Sequence, residues 1–141
     1  MDNTATLPRV LLVDDSTQDL NLLSEAFASI GFPVEVETCT TGHLAFANLQ
    51  AACLGTNEPL PDLLVIDIRM PGITGIELLH AIKGVDGLKG IPVIMITTVA
   101  TPHDCEQCGQ FGAVEVVEKP ADFLAYLDLA RRFTGLLRSQ K

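Results

Sequence analysis

The chain has 141 residues, 48% of them hydrophobic and 19% charged, a composition that suits a globular domain with a sizeable core and speaks against disorder. A formal net charge of −9 argues against non-specific nucleic-acid binding, and neither terminus carries a signal-peptide core or a stretch long enough to span a bilayer. A cytoplasmic protein with no nucleic-acid or membrane partner is expected, with the cysteines at 39, 53, 105 and 108 reduced.

The first apolar run, Arg9 to Val13, reads as a buried strand ending in Asp14-Asp15. Ser16 then stands where it caps a helix, with Asp19 three residues on. Leu20, Leu23, Phe27 and Ile30 follow at helical spacing, and Gly31 stops the helix. Val34 to Cys39 alternates Val with Glu, as an edge strand does. Gly42 to about Ala52 reads as a second helix with Leu44, Ala45 and Leu49 inward, and the stretch from Cys53 to Pro61 as a surface loop.

Leu63-Leu64-Val65-Ile66-Asp67 is an unbroken apolar run that delivers one carboxylate at its end and is soon stopped by Pro71-Gly72. Such a run, without alternation, suits a parallel strand covered on both faces. Thr74-Gly75-Ile76-Glu77 is a capping box opening a helix with Ile76, Leu79 and Ile82. Ile91 to Ile96 is a fourth strand run finishing in Thr97-Thr98, with a weaker helix after Pro102. Val114 to Val117 is a fifth, ending in Glu118-Lys119-Pro120, and a last helix runs from about Ala121 to Arg138. Alternating strands and helices predict one α/β domain over residues 1–141, a doubly wound five-stranded parallel sheet with helices on both faces.

Open sheets of this kind bind ligands beyond the carboxyl ends of their strands. Those ends offer Asp14, Asp15 and Asp67, the Thr97 hydroxyl and the Lys119 ammonium. Three carboxylates in one crevice repel one another unless a cation joins them, and hard oxygen ligands with room for water suit Mg²⁺. With Lys119 and a hydroxyl, that ion can neutralise a phosphoryl group while a carboxylate attacks it in line. Asp67, on the central strand, is the expected nucleophile.

Asp14-Asp15, Asp67 with Met70-Pro71-Gly72, Thr97 and Lys119-Pro120 resemble the receiver domain of two-component response regulators, over about residues 8–138. The resemblance implies a flavodoxin-like sheet of strand order 2-1-3-4-5 and a phosphoryl group accepted on Asp67 from a histidine kinase. It further implies Mg²⁺ held by Asp15, Asp67 and the backbone carbonyl of Arg69, with Asp14 acting through water, and phosphoryl oxygens contacted by Lys119 and Thr97. Through contacts with a downstream protein or a phosphotransfer partner, the chain would act as a phosphorylation switch or phosphorelay carrier, with a cis Lys119-Pro120 bond. The long loop before the third strand, Thr97-Thr98 and Asp122-Phe123 are similar to single-domain regulators of bacterial phytochromes.

The chain departs from the family pattern at Val116, where an aromatic is usual, so the aromatic rotamer switch cannot operate there. Thr98 narrows the access to Asp67, and Ala121 replaces a large apolar residue. Arg69 stands where water must approach an acyl phosphate, which predicts a long-lived phosphorylated form. Two other functions compete: an Mg²⁺-dependent phosphatase with an aspartyl-phosphate intermediate, and an interaction module independent of phosphorylation. The first usually needs Asp-x-Asp and a substrate cap, whereas Asp67 precedes Ile68-Arg69; the second gives no reason for a complete acidic site.

Cys105-x-x-Cys108 with His103 lacks a second cysteine pair, so buried or half-buried thiols are expected rather than zinc. His43, His80 and His103 fall on different helices and are expected at the surface. Arg131, Arg132, Arg138 and Lys141 suit the negative end of a helix dipole better than nucleic acid. In the last helix Phe123, Leu127, Ala130, Phe133 and Leu137 form one stripe and Tyr126, Leu129, Phe133 and Leu136 a second. One stripe is enough for the core, so the second predicts an outward patch and a homodimer through this helix.

Overall fold

Each apolar run becomes a short strand in a computed structural model of the chain, which describes residues 7–55 and 59–138. These are β1 (Arg9–Val13), β2 (Glu35–Cys39), β3 (Leu63–Asp67), β4 (Val93–Thr97) and β5 (Glu115–Glu118). They alternate with α1 (Thr17–Ser29), α2 (Gly42–Cys53), α3 (Gly75–Lys83), α4 (Pro102–Gln110) and α5 (Phe123–Arg138). All neighbouring strands pair in parallel, in the order β2-β1-β3-β4-β5, as expected for the flavodoxin-like arrangement. Every residue of β3 and β4 is buried, and β2 lies at an edge with its glutamates exposed.

Because side chains alternate across a strand, each central strand feeds two cores. Leu64 and Ile66 of β3 face α2, α3 and α4, packing with Leu49, Leu79 and Ile82. Leu63 and Val65 face α1 and α5, packing with Leu23, Phe27 and Phe133. Each such side chain contributes about 1.5–3 kcal/mol when fully buried, so both helical layers are anchored on the same strands. The chain leaves β1 toward β2 on one side and returns to β3 on the other. That reversal opens the crevice at the tips of β1 and β3.

Several expectations need correction. Leu44 is 52% exposed; α2 turns Ala45 and Leu49 to the sheet instead, with Phe46 partly buried beside them. The last helix starts at Phe123 because the Asp122 carboxylate accepts from Ala125 N at 2.9 Å and caps it there. The second stripe of α5 is not an outward patch: Tyr126, Leu129 and Phe133 are buried and Leu136 is partly buried. This helix packs against the sheet and α1 at once, with the Phe27 and Phe133 rings 6.4 Å apart, so both stripes are used within one chain. The patch argued for a homodimer is therefore spent on the core. Phe123, expected in the inward stripe, is 36% exposed.

The cysteines are free; Cys39 and Cys108 are buried, Cys53 is half-buried, and Cys105 is exposed rather than packed. Burial, with the nearby Asp104 charge, pushes the Cys108 thiol up to about 11, which keeps it protonated. His43, His80 and His103 are at the surface, as expected. Arg131 pairs with Asp128 and Arg132 with Glu115 at the surface. Thr56-Asn57-Glu58 of the loop, the Arg138 side chain and Lys141 lie outside the described residues. No helix among the described residues is long and apolar enough to cross a membrane.

Candidate phosphoacceptor site

The strand tips bring the expected residues to one place because parallel strands all end on the same edge of the sheet. Asp14 follows β1, Asp67 closes β3, Thr97 closes β4 and Lys119 follows β5. Asp14, Asp67 and Thr97 are buried, while Asp15 is exposed at the mouth. Asp15, Asp67, Arg69, Thr97, Thr98 and Lys119 line one cavity of about 560 Å³.

Asp14 is fixed at both oxygens: Oδ1 accepts from Ser16 N at 2.9 Å, and Oδ2 lies 2.9 Å from Lys119 Nζ. Lys119 Nζ also donates to Asp19 Oδ2 at 2.7 Å and lies 3.7 Å from Asp67 Oδ2. The Lys119 backbone N donates to Thr97 O at 2.7 Å, which locks the β4 and β5 tips together. No peptide bond among the described residues is cis, so Lys119-Pro120 is trans, against the resemblance. The trans isomer is intrinsically favoured by about 0.5–1 kcal/mol, and in it the ammonium already reaches its carboxylates.

The charges are unbalanced. Burial first, and then the neighbouring Asp14 charge, push the Asp67 carboxyl from 3.8 to about 7, against the pull of Lys119. For Lys119 burial works against the ammonium, but hydrogen bonds to Asp19 and Asp14 outweigh it and hold the group protonated well above its usual range. One ligand oxygen from each of Asp14, Asp15 and Asp67 lies within 4.8 Å of the others. Three carboxylates gathered so closely, all hard oxygen donors with one exposed to water, fit Mg²⁺ or Mn²⁺.

Arg69 was expected to contribute its backbone carbonyl and to screen the acceptor. Its side chain is also engaged: Nη1 donates to Thr97 Oγ1 at 2.8 Å and Nη2 to Asp104 Oδ2 at 2.6 Å. Thr97 is thus the partner of a guanidinium, and its hydroxyl lies 3.5 Å from the Val99 carbonyl.

Three contributors were missed by sequence reasoning. Asp19 does not complete a reciprocal cap with Ser16; its backbone N does donate to Ser16 Oγ at 3.2 Å, but its carboxylate goes to Lys119. Its place in the first turn after Asp14-Asp15 was the available signal. Asp104 forms a capping box with Thr101 at the start of α4, and that three-residue spacing was the available signal. Gly75 was read only as part of the Thr74 capping box, itself confirmed. A Cβ on Gly75 would lie 2.0 Å from the Asp67 carbonyl oxygen, so only glycine lets α3 start against the backbone that carries Asp67.

A family model described as the response regulator receiver domain matches residues 10–130. Among curated relatives, the transcriptional regulatory protein PrrA of Mycobacterium leprae is 35% identical over 83 residues, 59% of this chain. The match spans about a third of that longer protein, 32%. Among solved structures, the phosphorylated cyanobacterial phytochrome response regulator RcpA superposes with a TM-score of 0.86 at 27% identity, covering 96% of this chain and 97% of its own. The Mn²⁺-bound form of response regulator Rcp1 gives 0.79 at 27% identity, covering 89% and 91%.

Proposed function

The chain belongs to the response regulator receiver domain family, and from that premise we propose that Asp67 accepts a phosphoryl group from a histidine kinase in an Mg²⁺-dependent reaction. The protein then acts as a phosphorylation switch or phosphorelay carrier through contacts with a downstream protein. The observation that carries this reading is the buried Asp67 carboxylate, set among Asp14, Asp15 and Lys119 with its charge only partly compensated.

A divalent cation held by Asp14, Asp15, Asp67 and the Arg69 carbonyl would supply the missing positive charge and offset that of the phosphoryl oxygens. With its carboxyl ionised, Asp67 attacks phosphorus through one oxygen, forming the O–P bond of an acyl phosphate. The P–N bond to the donor histidine breaks, its electron pair returns to the imidazole, and the ring takes up a proton. Lys119 is already charged and oriented by Asp14 and Asp19, so it can meet a phosphoryl oxygen without large rearrangement. Thr97 offers its hydroxyl from the neighbouring tip once Arg69 gives it up.

Arg69 shares the cavity with Asp67, and we infer that it shields or pairs with the phosphoryl group and prolongs its life. Similarity to RcpA supports a phytochrome-type sensor kinase as the donor, with a cytoplasmic place of action. Incubation with acetyl phosphate and Mg²⁺ should add one phosphoryl group to the protein and none to Asp67→Asn. Equal labelling of that variant would overturn the reading.

A further inference from the structure

Arg69 stands between two cavities. One is the site of Asp67, Thr97 and Lys119. The other, about 710 Å³, lies between α3 and α4 and is lined by Ile76, His80, Asp104, Gln107 and Phe111, with Arg69 at its edge. The guanidinium is divided between the Thr97 hydroxyl and the Val99 carbonyl through Nη1, at 2.8 and 3.4 Å, and the Asp104 carboxylate through Nη2 at 2.6 Å.

The two ends of this ion pair are unequally held. The Asp104 side chain is 11% exposed against 54% for Arg69. Asp104 is built into the start of α4: its backbone N donates to Thr101 Oγ1 at 3.0 Å, and its Oδ2 accepts from Thr101 N at 3.4 Å. The cap uses that oxygen at the longer distance and Arg69 uses it at the shorter. Arg69 is therefore the end that can move.

We propose that Asp104 is a positioning residue for the phosphoryl site, holding Arg69 against Thr97 in the unmodified protein and thereby setting how readily the guanidinium turns to a phosphoryl group on Asp67. This rests on the reading of Asp67 and Arg69 given above. A phosphoryl group carries about −1.5 to −2 charges and presents oxygens that suit a bidentate guanidinium, against one charge on Asp104. When Arg69 leaves, the Thr97 hydroxyl loses its donor and is free to face the phosphoryl oxygens. Asp104 is then left buried without its guanidinium at the first turn of α4. The path from Asp67 to α4 runs through Arg69, just after β3, and needs nothing from Val116.

The test is the lifetime of the phosphorylated protein. Wild type, Asp104→Asn, Asp104→Glu, Arg69→Ala and the double variant Arg69→Ala/Asp104→Asn are loaded with acetyl phosphate and Mg²⁺, diluted, and followed by intact-mass measurement. Asparagine keeps an acceptor for the Thr101 cap but gives up the charge. Asp104→Asn should lengthen the lifetime roughly two- to fivefold, the range that matches release of one solvent-screened pair. Asp104→Glu should return it to near the wild-type value, and the double variant should decay like Arg69→Ala alone. An unchanged or shorter lifetime in Asp104→Asn would overturn the proposal, as would the same lengthening in the Arg69→Ala background. Absence of label from every protein, wild type included, would overturn it together with the phosphoacceptor reading. Labelled proteins with no dependence on Asp104 would overturn the positioning role alone.

Discussion

Two cations flank Asp67, and they live in different physical regimes. The Lys119 side chain is 11% exposed and lies within 4 Å of three carboxylates. The Arg69 side chain is 54% exposed and divides its guanidinium between a hydroxyl and one carboxylate. A compact ammonium inside an acidic cluster cannot leave without stranding several buried charges. A planar guanidinium screened by water can exchange partners at little cost. Within one site, then, the buried cation is bound into the acidic cluster and the exposed one is free to exchange partners; under the proposed function the first would serve phosphoryl transfer and the second its duration.

The largest effect should come from removing the buried partner. At pH 8 in metal-free buffer, Lys119→Met should lose about 3–5 kcal/mol in urea unfolding, the usual cost of breaking a buried pair from one side, and should take up no phosphoryl group from acetyl phosphate. A loss below about 1 kcal/mol would show that Lys119 is as dispensable as a surface charge.

Next in size is a pH effect at Asp67. Its pKa rises from 3.8 to about 7 on folding, so between these values the folded state binds more protons than the unfolded one. Stability contributed by this group is therefore greatest below about pH 4 and falls through about pH 7, by a few kcal/mol. Comparing wild type with Asp67→Asn in metal-free buffer isolates the slope: the variant should lose it and be the more stable protein at neutral pH. Parallel pH profiles would count against the raised pKa that burial, and then the neighbouring Asp14 charge, give Asp67.

Removal of Arg69 should have the smallest effect on folding. Arg69→Ala should change stability by less than about 1 kcal/mol yet shorten the life of the phosphorylated form in a chase by intact mass. A large stability loss, or an unchanged or longer lifetime, would erase the contrast between the two cations.

The strands were legible because burial on both faces leaves unbroken branched runs, and the tips were legible because parallel strands end on one edge. Asp14, Asp67, Thr97 and Lys119 all came from that rule. Asp19 did not, because its side chain spans 100 positions to Lys119 while its local spacing to Ser16 already had a satisfactory explanation. Asp104 was missed because nothing in the weak helix after Pro102 ties it to Arg69, 35 positions away. In α5 two apolar stripes looked like a surplus, since sequence periodicity shows how wide a face is but not how many neighbours it meets. Leu44 failed for the complementary reason: α2 buries a narrow face built on Ala45 and Leu49, and a leucine one position away falls outside it.

The central claim is that one carboxylate, Asp67, carries the phosphoryl group. Borohydride reduction of an acyl phosphate leaves homoserine in place of aspartate, so peptide sequencing by mass spectrometry after acetyl phosphate treatment in Mg²⁺ reads the acceptor directly. The account predicts homoserine at residue 67 and at no other position. Homoserine at residue 14 or 15, or an acid-stable phosphate elsewhere with residue 67 still aspartate, would contradict it.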